Sequence, residues 1–222
     1  MTGLKAYPRF VSIEGGEGAG KTTVLNALRA ALKAGGYDVV STREPGGTPL
    51  AEQIRLLLLR NGGGRDPEGS DELLLPDTEL LLMFAARVQH VRHTIVPALE
   101  RGSWVISDRF TDSSYAYQGG GRALSQALIA ELEQRVVRVR PGLTLLLDIG
   151  VDQGRLRARN RGAEPDRIES EADGFFERVR ATFLQRAAAE PGRIKVIDAS
   201  RAADVVAADA VAILASWRDA NP

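Results

Sequence analysis

The stretch Gly15-Gly16-Glu17-Gly18-Ala19-Gly20-Lys21-Thr22 spaces small residues, one lysine and one hydroxyl as a phosphate cradle requires, fitting G-x-x-x-x-G-K-[ST]. Glycines let the backbone curl until successive N–H groups point inward at an anion. A helix opening at Lys21 adds the positive end of its dipole. In such a loop the lysine reaches the β- and γ-phosphates and the Thr22 hydroxyl ligates Mg²⁺. Before the loop, Phe10-Val11-Ser12-Ile13 has the apolar, β-branched character of a buried strand; after it, Val24, Leu25, Leu28, Ala31 and Leu32 recur at helical spacing. Strand, glycine loop and helix together point to a nucleoside triphosphate site over Gly15 to Thr22.

The elements that must hold this loop follow from apolar periodicity. Strands are predicted at Asp38–Thr42, Trp104–Asp108, Leu143–Ile149 and Ile194–Asp198. Helices are predicted from Pro49, over about Asp77–Arg101, over Ser125–Val139, within Asp152–Ala172, from about Asp173 to Glu190, and over Ala202–Trp217, with Asn61–Pro76 a mobile surface loop. Strands alternating with helices predict an α/β fold with a parallel sheet and right-handed crossovers. Ligands in such a sheet bind beyond the carboxyl ends of its strands. That gathers the residues after Ile13, Thr42, Ile106 and Leu147 into one crevice.

Asp108 closes an apolar strand and is followed by Arg109, pairing an acid for Mg²⁺ opposite Thr22 with a cation for a phosphate; Asp148 competes for the metal role. Arg155, Arg157, Arg159 and Arg161 fall in i, i+4 pairs, where like charges repel unless an anion or nearby carboxylates intervene. A solvated basic face balanced by Glu164, Asp166 and Glu169 competes with a phosphate-gripping lid over about 155–172. With 222 residues, 44% hydrophobic and 26% charged, the chain is expected to form one domain over 1–222. Zero formal net charge supplies no field that would draw a nucleic-acid polymer or an anionic membrane. Absence of cysteine excludes thiolate chemistry, and no signal or membrane-length apolar run occurs, so a cytoplasmic protein is expected. No Asn-Lys-x-Asp element supports a GTPase; a small-molecule phosphotransferase suits the length better.

IEGGEGAGKTT (13–23), TREPGGTPLAEQIR (42–55), FAARVQH (84–90), SDRFTDSSYAYQGGGR (107–122) and DRIE (166–169) occur in one order across most of the chain. Together they resemble the bacterial thymidylate kinases. The resemblance implies a three-layer P-loop kinase fold with a five-stranded parallel sheet, ATP and dTMP as substrates, Mg²⁺, and usually a homodimer. By the same resemblance Glu17 lies near the dTMP sugar hydroxyl, Arg55 and Arg109 hold the acceptor phosphate, and Arg87 hydrogen-bonds the base. Ser114, Tyr117 and Gln118 surround the nucleoside, with Tyr117 also a candidate core residue or barrier to a ribose 2′-hydroxyl. Glu44-Pro45 is the family's turn, in which the X–Pro bond can be cis.

Two departures from the family pattern stand out. Where many relatives stack a phenylalanine on the base, this chain has Met83, with Phe84 one residue later; either is a candidate. No arginine lies within the phosphate loop, so the catalytic cation is expected from Arg157, Arg159 or Arg161, beside Lys21 and Arg109. His90 and His93 are expected on the helix surface or a dimer face. Competing readings are another nucleoside-monophosphate kinase acting on UMP/CMP or AMP, and an ATP-binding sensor without turnover.

Overall fold

The computed structural model describes residues 3–60, 64–65, 71–160 and 166–221. Its central sheet has five parallel strands in the order β2-β5-β1-β6-β7: β1 Lys5–Gly15, β2 Val39–Arg43, β5 Trp104–Asp108, β6 Val139–Asp148 and β7 Ile194–Asp198. A two-residue antiparallel pair, β3 (Gly64–Arg65) with β4 (Asp71–Glu72), lies in the stretch expected as a mobile loop; the rest of 61–70 lies outside the described residues.

Period-two alternation in the strands explains the layers. On one face Val11, Ile13, Trp104, Ile106 and Leu145 pack on α1 (Lys21–Ala34) and α9 (Ala203–Ala220), through Leu28 and Leu214. On the other, Phe10 and Val105 meet Leu80 and Phe84 of α3 (Pro76–His90), Ala98 of α4 (Val96–Glu100) and Ile129 of α6 (Gln126–Leu132). Fully burying each such side chain contributes about 1.5–3 kcal/mol.

Three predicted boundaries are corrected. Both β1 and β6 start earlier than the apolar runs suggest, because Lys5–Tyr7 pairs with Val139–Pro141. The helix ahead of β6 therefore ends sooner, at a π turn (Glu133–Val137) followed by Arg138 in a left-handed conformation. The long helix runs as expected, from Pro76 to Glu100, and carries within it a π turn, Val91–Ile95, just before Pro97, whose ring nitrogen has no hydrogen to give. The segment after β5, for which periodicity predicts no element, is helical, α5 (Thr111–Ser114) running into a π segment, Tyr115–Gly121. Serine, tyrosine and glycine disguise that helix, which is held instead by contact with α8 (Asp173–Ala189), where Tyr117 packs with Phe175, Val179 and Phe183.

Beneath this helix runs a polar seam. Ser12 bonds Thr144, Arg193 donates to Thr144, and Arg193 and Arg186 grip the Asp112 carboxylate at 2.7 and 2.6 Å. Burial alone would raise the pKa of Asp112, but the two arginines hold it well below the usual carboxylate range. No described helix is long and apolar enough to cross a membrane.

Candidate active site

The carboxyl ends of β1, β2 and β5 open into a cavity of about 540 Å³. Its floor is the phosphate loop. Gly18 and Gly20 sit at φ 70° and 89°, conformations that glycine reaches without a Cβ clash. Gly18 also faces Gly154 of α7 (Val151–Arg159), where a Cβ would stand 2.0 Å from the Gly154 carbonyl oxygen. Two glycines thus let the helix carrying the lid arginines lie directly on the loop.

Lys21 folds back on this loop, donating to the carbonyls of Gly15 and Gly16 at 3.3 and 2.9 Å. Desolvation, followed by the Arg109 charge, lowers its pKa, while Glu17, Asp108 and Glu14 pull the other way. Thr22 and Asp108 both line the cavity, and buried Asp108 Oδ1 has no hydrogen-bond partner among the described residues. A buried carboxylate oxygen without a donor and a hydroxyl lining the same cavity are a donor set suited to Mg²⁺. Asp148, the competing acid, is committed to a bidentate pair with Arg180. Ala19 is buried beneath the loop, outside the cavity.

Arg109 crosses the floor from the end of β5. Its φ of 70° is unusual for a side-chain-bearing residue, and neighbouring bonds hold it there. Its amide donates to Ile13 O, Ser107 donates to its carbonyl, and its guanidinium reaches Gly15 O at 3.1 Å and Glu17 at 2.6 Å. The guanidinium also sits 4.8 Å from the Tyr117 ring centre. Tyr117 donates its hydroxyl to Glu17, and burial raises the phenol's pKa, so it remains a donor at neutral pH.

The opposite wall is the turn after β2, where the Glu44–Pro45 peptide is cis. Glu44 is buried and accepts from Arg87 Nε at 2.6 Å and from His90 Nδ1 at 3.0 Å. Burial would raise the Glu44 pKa, but Arg87 and His90 bring it below the ordinary value. Arg87 also donates to Ser114 Oγ at 2.9 Å and to the Phe110 carbonyl at 3.2 Å. Arg55, on α2 (Pro49–Leu59), reaches the cavity and donates to Pro45 O. Met83 lines the cavity, whereas Phe84 is buried behind it, with Arg87 stacked 4.9 Å from its ring centre. The apolar run 80–84 winds round α3, turning these neighbours to different faces. Gln118 faces the cavity and donates to Glu79 at 2.8 Å.

The arginines of the lid segment separate by environment. Arg157 lines the cavity and donates to the carbonyls of Ala199 and Ser200 at 2.7 and 2.9 Å. Arg159 is exposed and outside the cavity lining, and Arg161 lies outside the described residues. Arg155 has its charge met by a carboxylate, pairing with Asp173 at 2.6 Å, and stacks on Phe176. Arg167 ties the far side of the segment to α2 and α3 through Leu58 O and Glu79.

Residues that spacing alone does not reveal include Glu14, Glu79, Asp112 and Ser113. Glu14 is completely buried and accepts from Phe110 N at 2.7 Å and from Ser113 Oγ at 2.5 Å. An acid inside an apolar strand is the one signal that could have flagged it. His90 is no surface residue; it is fully buried against Glu44, while His93 is exposed.

The family model for thymidylate kinase matches residues 13–210. A thymidylate kinase of Ectopseudomonas mendocina (strain ymp) is 52% identical over 221 residues, covering 99% of each chain. One from Pseudomonas fluorescens (strain SBW25) is 54% identical over 202 residues, 90% of each. The crystal structure of thymidylate kinase from Ehrlichia chaffeensis superposes with a TM-score of 0.71 at 30% identity, covering 95% of this chain and 99% of that one. A family match over most of its length and relatives above half identity across nearly all of it show that the chain belongs to the thymidylate kinase family.

Proposed function

We propose that this chain transfers the γ-phosphate of ATP to dTMP, giving dTDP and ADP, as one kinase domain with a lid over about 155–172. The observation that carries the reading is that Lys21 and Arg109 open onto one cavity, where Glu17 pairs with Arg109. A donor phosphate chain on the loop and an acceptor phosphate at Arg109 then meet end to end. The acceptor oxygen is already anionic, so no strong general base is needed, and catalysis rests on positioning and charge neutralisation.

In this reading Lys21 exchanges its loop carbonyls for β/γ-phosphate oxygens. Arg109 and Arg55 hold the acceptor phosphate, Glu17 orients the sugar hydroxyl, and Arg87 addresses the base against Met83. Arg157, being at the cavity, is the favoured lid cation. Thr22 and Asp108 would hold Mg²⁺, which when bound neutralises charge on the phosphate oxygens. A homodimer in the cytoplasm is the assembly we favour. Leu50, Leu56, Leu57, Leu75 and Leu81 are all exposed on or beside α2 and α3, apolar side chains that a second copy of the chain would cover.

A coupled assay of ADP release with dTMP, dUMP, CMP and AMP as acceptors tests the activity. The highest kcat/KM is expected with dTMP. A preference for CMP or AMP would reassign the substrate, and nucleotide binding without transfer to any of the four would make the chain a sensor.

A further inference from the structure

His90 is completely buried, and both of its ring nitrogens are engaged. Nδ1 lies 3.0 Å from Glu44 Oε1 and Nε2 lies 2.7 Å from Thr42 Oγ1. An ionised carboxylate only accepts, so Nδ1 carries a proton towards Glu44. The other Glu44 oxygen accepts from Arg87 Nε, and Arg87 continues to Ser114. One chain of contacts therefore runs Thr42, His90, Glu44, Arg87, Ser114, from the end of β2 to α5.

The surroundings are shaped for this ring. His90 is the last residue of α3, immediately before the π turn, and Thr94 in that turn donates to the Gly47 carbonyl at 2.9 Å. Gly47 itself sits at φ 83°, and a Cβ there would come within 2.4 Å of two His90 ring atoms. The loop after β2 is thus pressed against the imidazole with no space between. An apolar side chain of the same size would fill the volume but leave Glu44 one donor short.

We infer that His90 is a positioning residue for the cavity arginine: by fixing the Glu44 carboxylate it sets the plane in which the Arg87 guanidinium meets the base. The inference rests on the proposed contact between Arg87 and the base of dTMP. His90 touches no substrate in this arrangement, and its effect passes through Glu44.

The test compares His90→Leu with His90→Asn in steady-state kinetics, with Arg87→Lys as reference. Leucine, close to imidazole in volume, keeps the space filled and removes both hydrogen bonds; asparagine leaves a void but keeps a donor in the place of Nδ1. Positioning predicts that His90→Leu raises the KM for dTMP about tenfold, the size expected for a lost buried charged hydrogen bond. His90→Asn should recover part of that loss, and the KM for ATP should stay unchanged in both. A packing role predicts the reverse order, so better performance by Leu than by Asn overturns the inference, as does an unaltered KM in His90→Leu. If the His90 variants fail to fold, the near-isosteric Thr42→Val carries the test. A rise of about threefold in the KM for dTMP alone supports positioning, and no change overturns it. If Arg87→Lys leaves that KM unaltered, the base-contact reading fails. If Arg87→Lys raises it and His90→Leu does not, the positioning role fails.

Discussion

Replacing Arg109 with alanine should cost about three decades in kcat/KM. The guanidinium lies 2.6 Å from Glu17 Oε1, and both side chains are less than a fifth exposed. Opposite unit charges about 4 Å apart at an effective dielectric near 20 attract by about 4 kcal/mol. Without Arg109 the Glu17 carboxylate faces an incoming acceptor phosphate, and the repulsion that Arg109 had offset is of that order. About 4 kcal/mol in the transition state is about 10³ in rate. The measurement is ADP release with saturating ATP and varied dTMP, beside a melting curve to establish that the variant is folded. Because the Glu17 charge repels the acceptor phosphate once Arg109 is gone, Glu17→Gln added to Arg109→Ala should recover about tenfold, a non-additivity that a double-mutant cycle reads directly. Arg109→Ala within tenfold of the parent, or a double variant no better than the single one, would refute the reasoning.

Three further outcomes are expected. Arg157→Ala should lower kcat by about 10³ or more, whereas exposed Arg159→Ala should change it less than about threefold; stopped-time kinetics on both variants check the order. Gly154→Ala places two effects in opposition: alanine gains up to about 1 kcal/mol in helix propensity, but its Cβ would stand 2.5 Å from the Glu17 carbonyl oxygen, an overpacking that costs about 1–3 kcal/mol. A lower melting temperature and a higher KM for ATP are expected, and a raised melting temperature would show that the contact is slack. Burial, reinforced by Asp112, pushes the Glu14 pKa well above its ordinary 4.5, so the native state retains a proton that the unfolded chain loses. Its contribution is full below about pH 4.5 and declines as pH rises towards the native pKa. Urea melts at pH 5 and pH 8 should show Glu14→Gln gaining on the parent at the higher pH, and parallel profiles would exclude this role for Glu14.

What could be read from the residues was whatever depends on neighbours in the chain. The strand–loop–helix around Lys21, the acid–cation pair Asp108-Arg109 and the alternation of strands and helices all have local signatures. The interior polar contacts do not: Asp112 meets Arg193 across 81 positions, and Glu14 meets Ser113 across 99. Neither spacing nor propensity connects such partners. Lids are equally opaque, since Arg155 and Arg157 share one helix yet point to different carbonyls, of Glu171 and Ala199. The helix over 111–121 escaped for a third reason: it is kept by the aromatic packing of Tyr117 against α8, and its own composition argues against it.

The three-point grip on Arg87 bears on the entropy of binding. Freezing a long, rotamer-rich side chain at an interface ordinarily takes about 0.5–1.5 kcal/mol from the affinity of whatever orders it. Here folding has already frozen it, so a ligand presenting an acceptor in the right plane gains its hydrogen bond undiminished. The same rigidity penalises a ligand that needs the arginine to swing aside, since breaking a buried ion pair costs about 3–5 kcal/mol. Inhibitors built for this wall should therefore respond steeply to substituents pointing at Arg87 and only gently to those pointing towards the exposed Arg159.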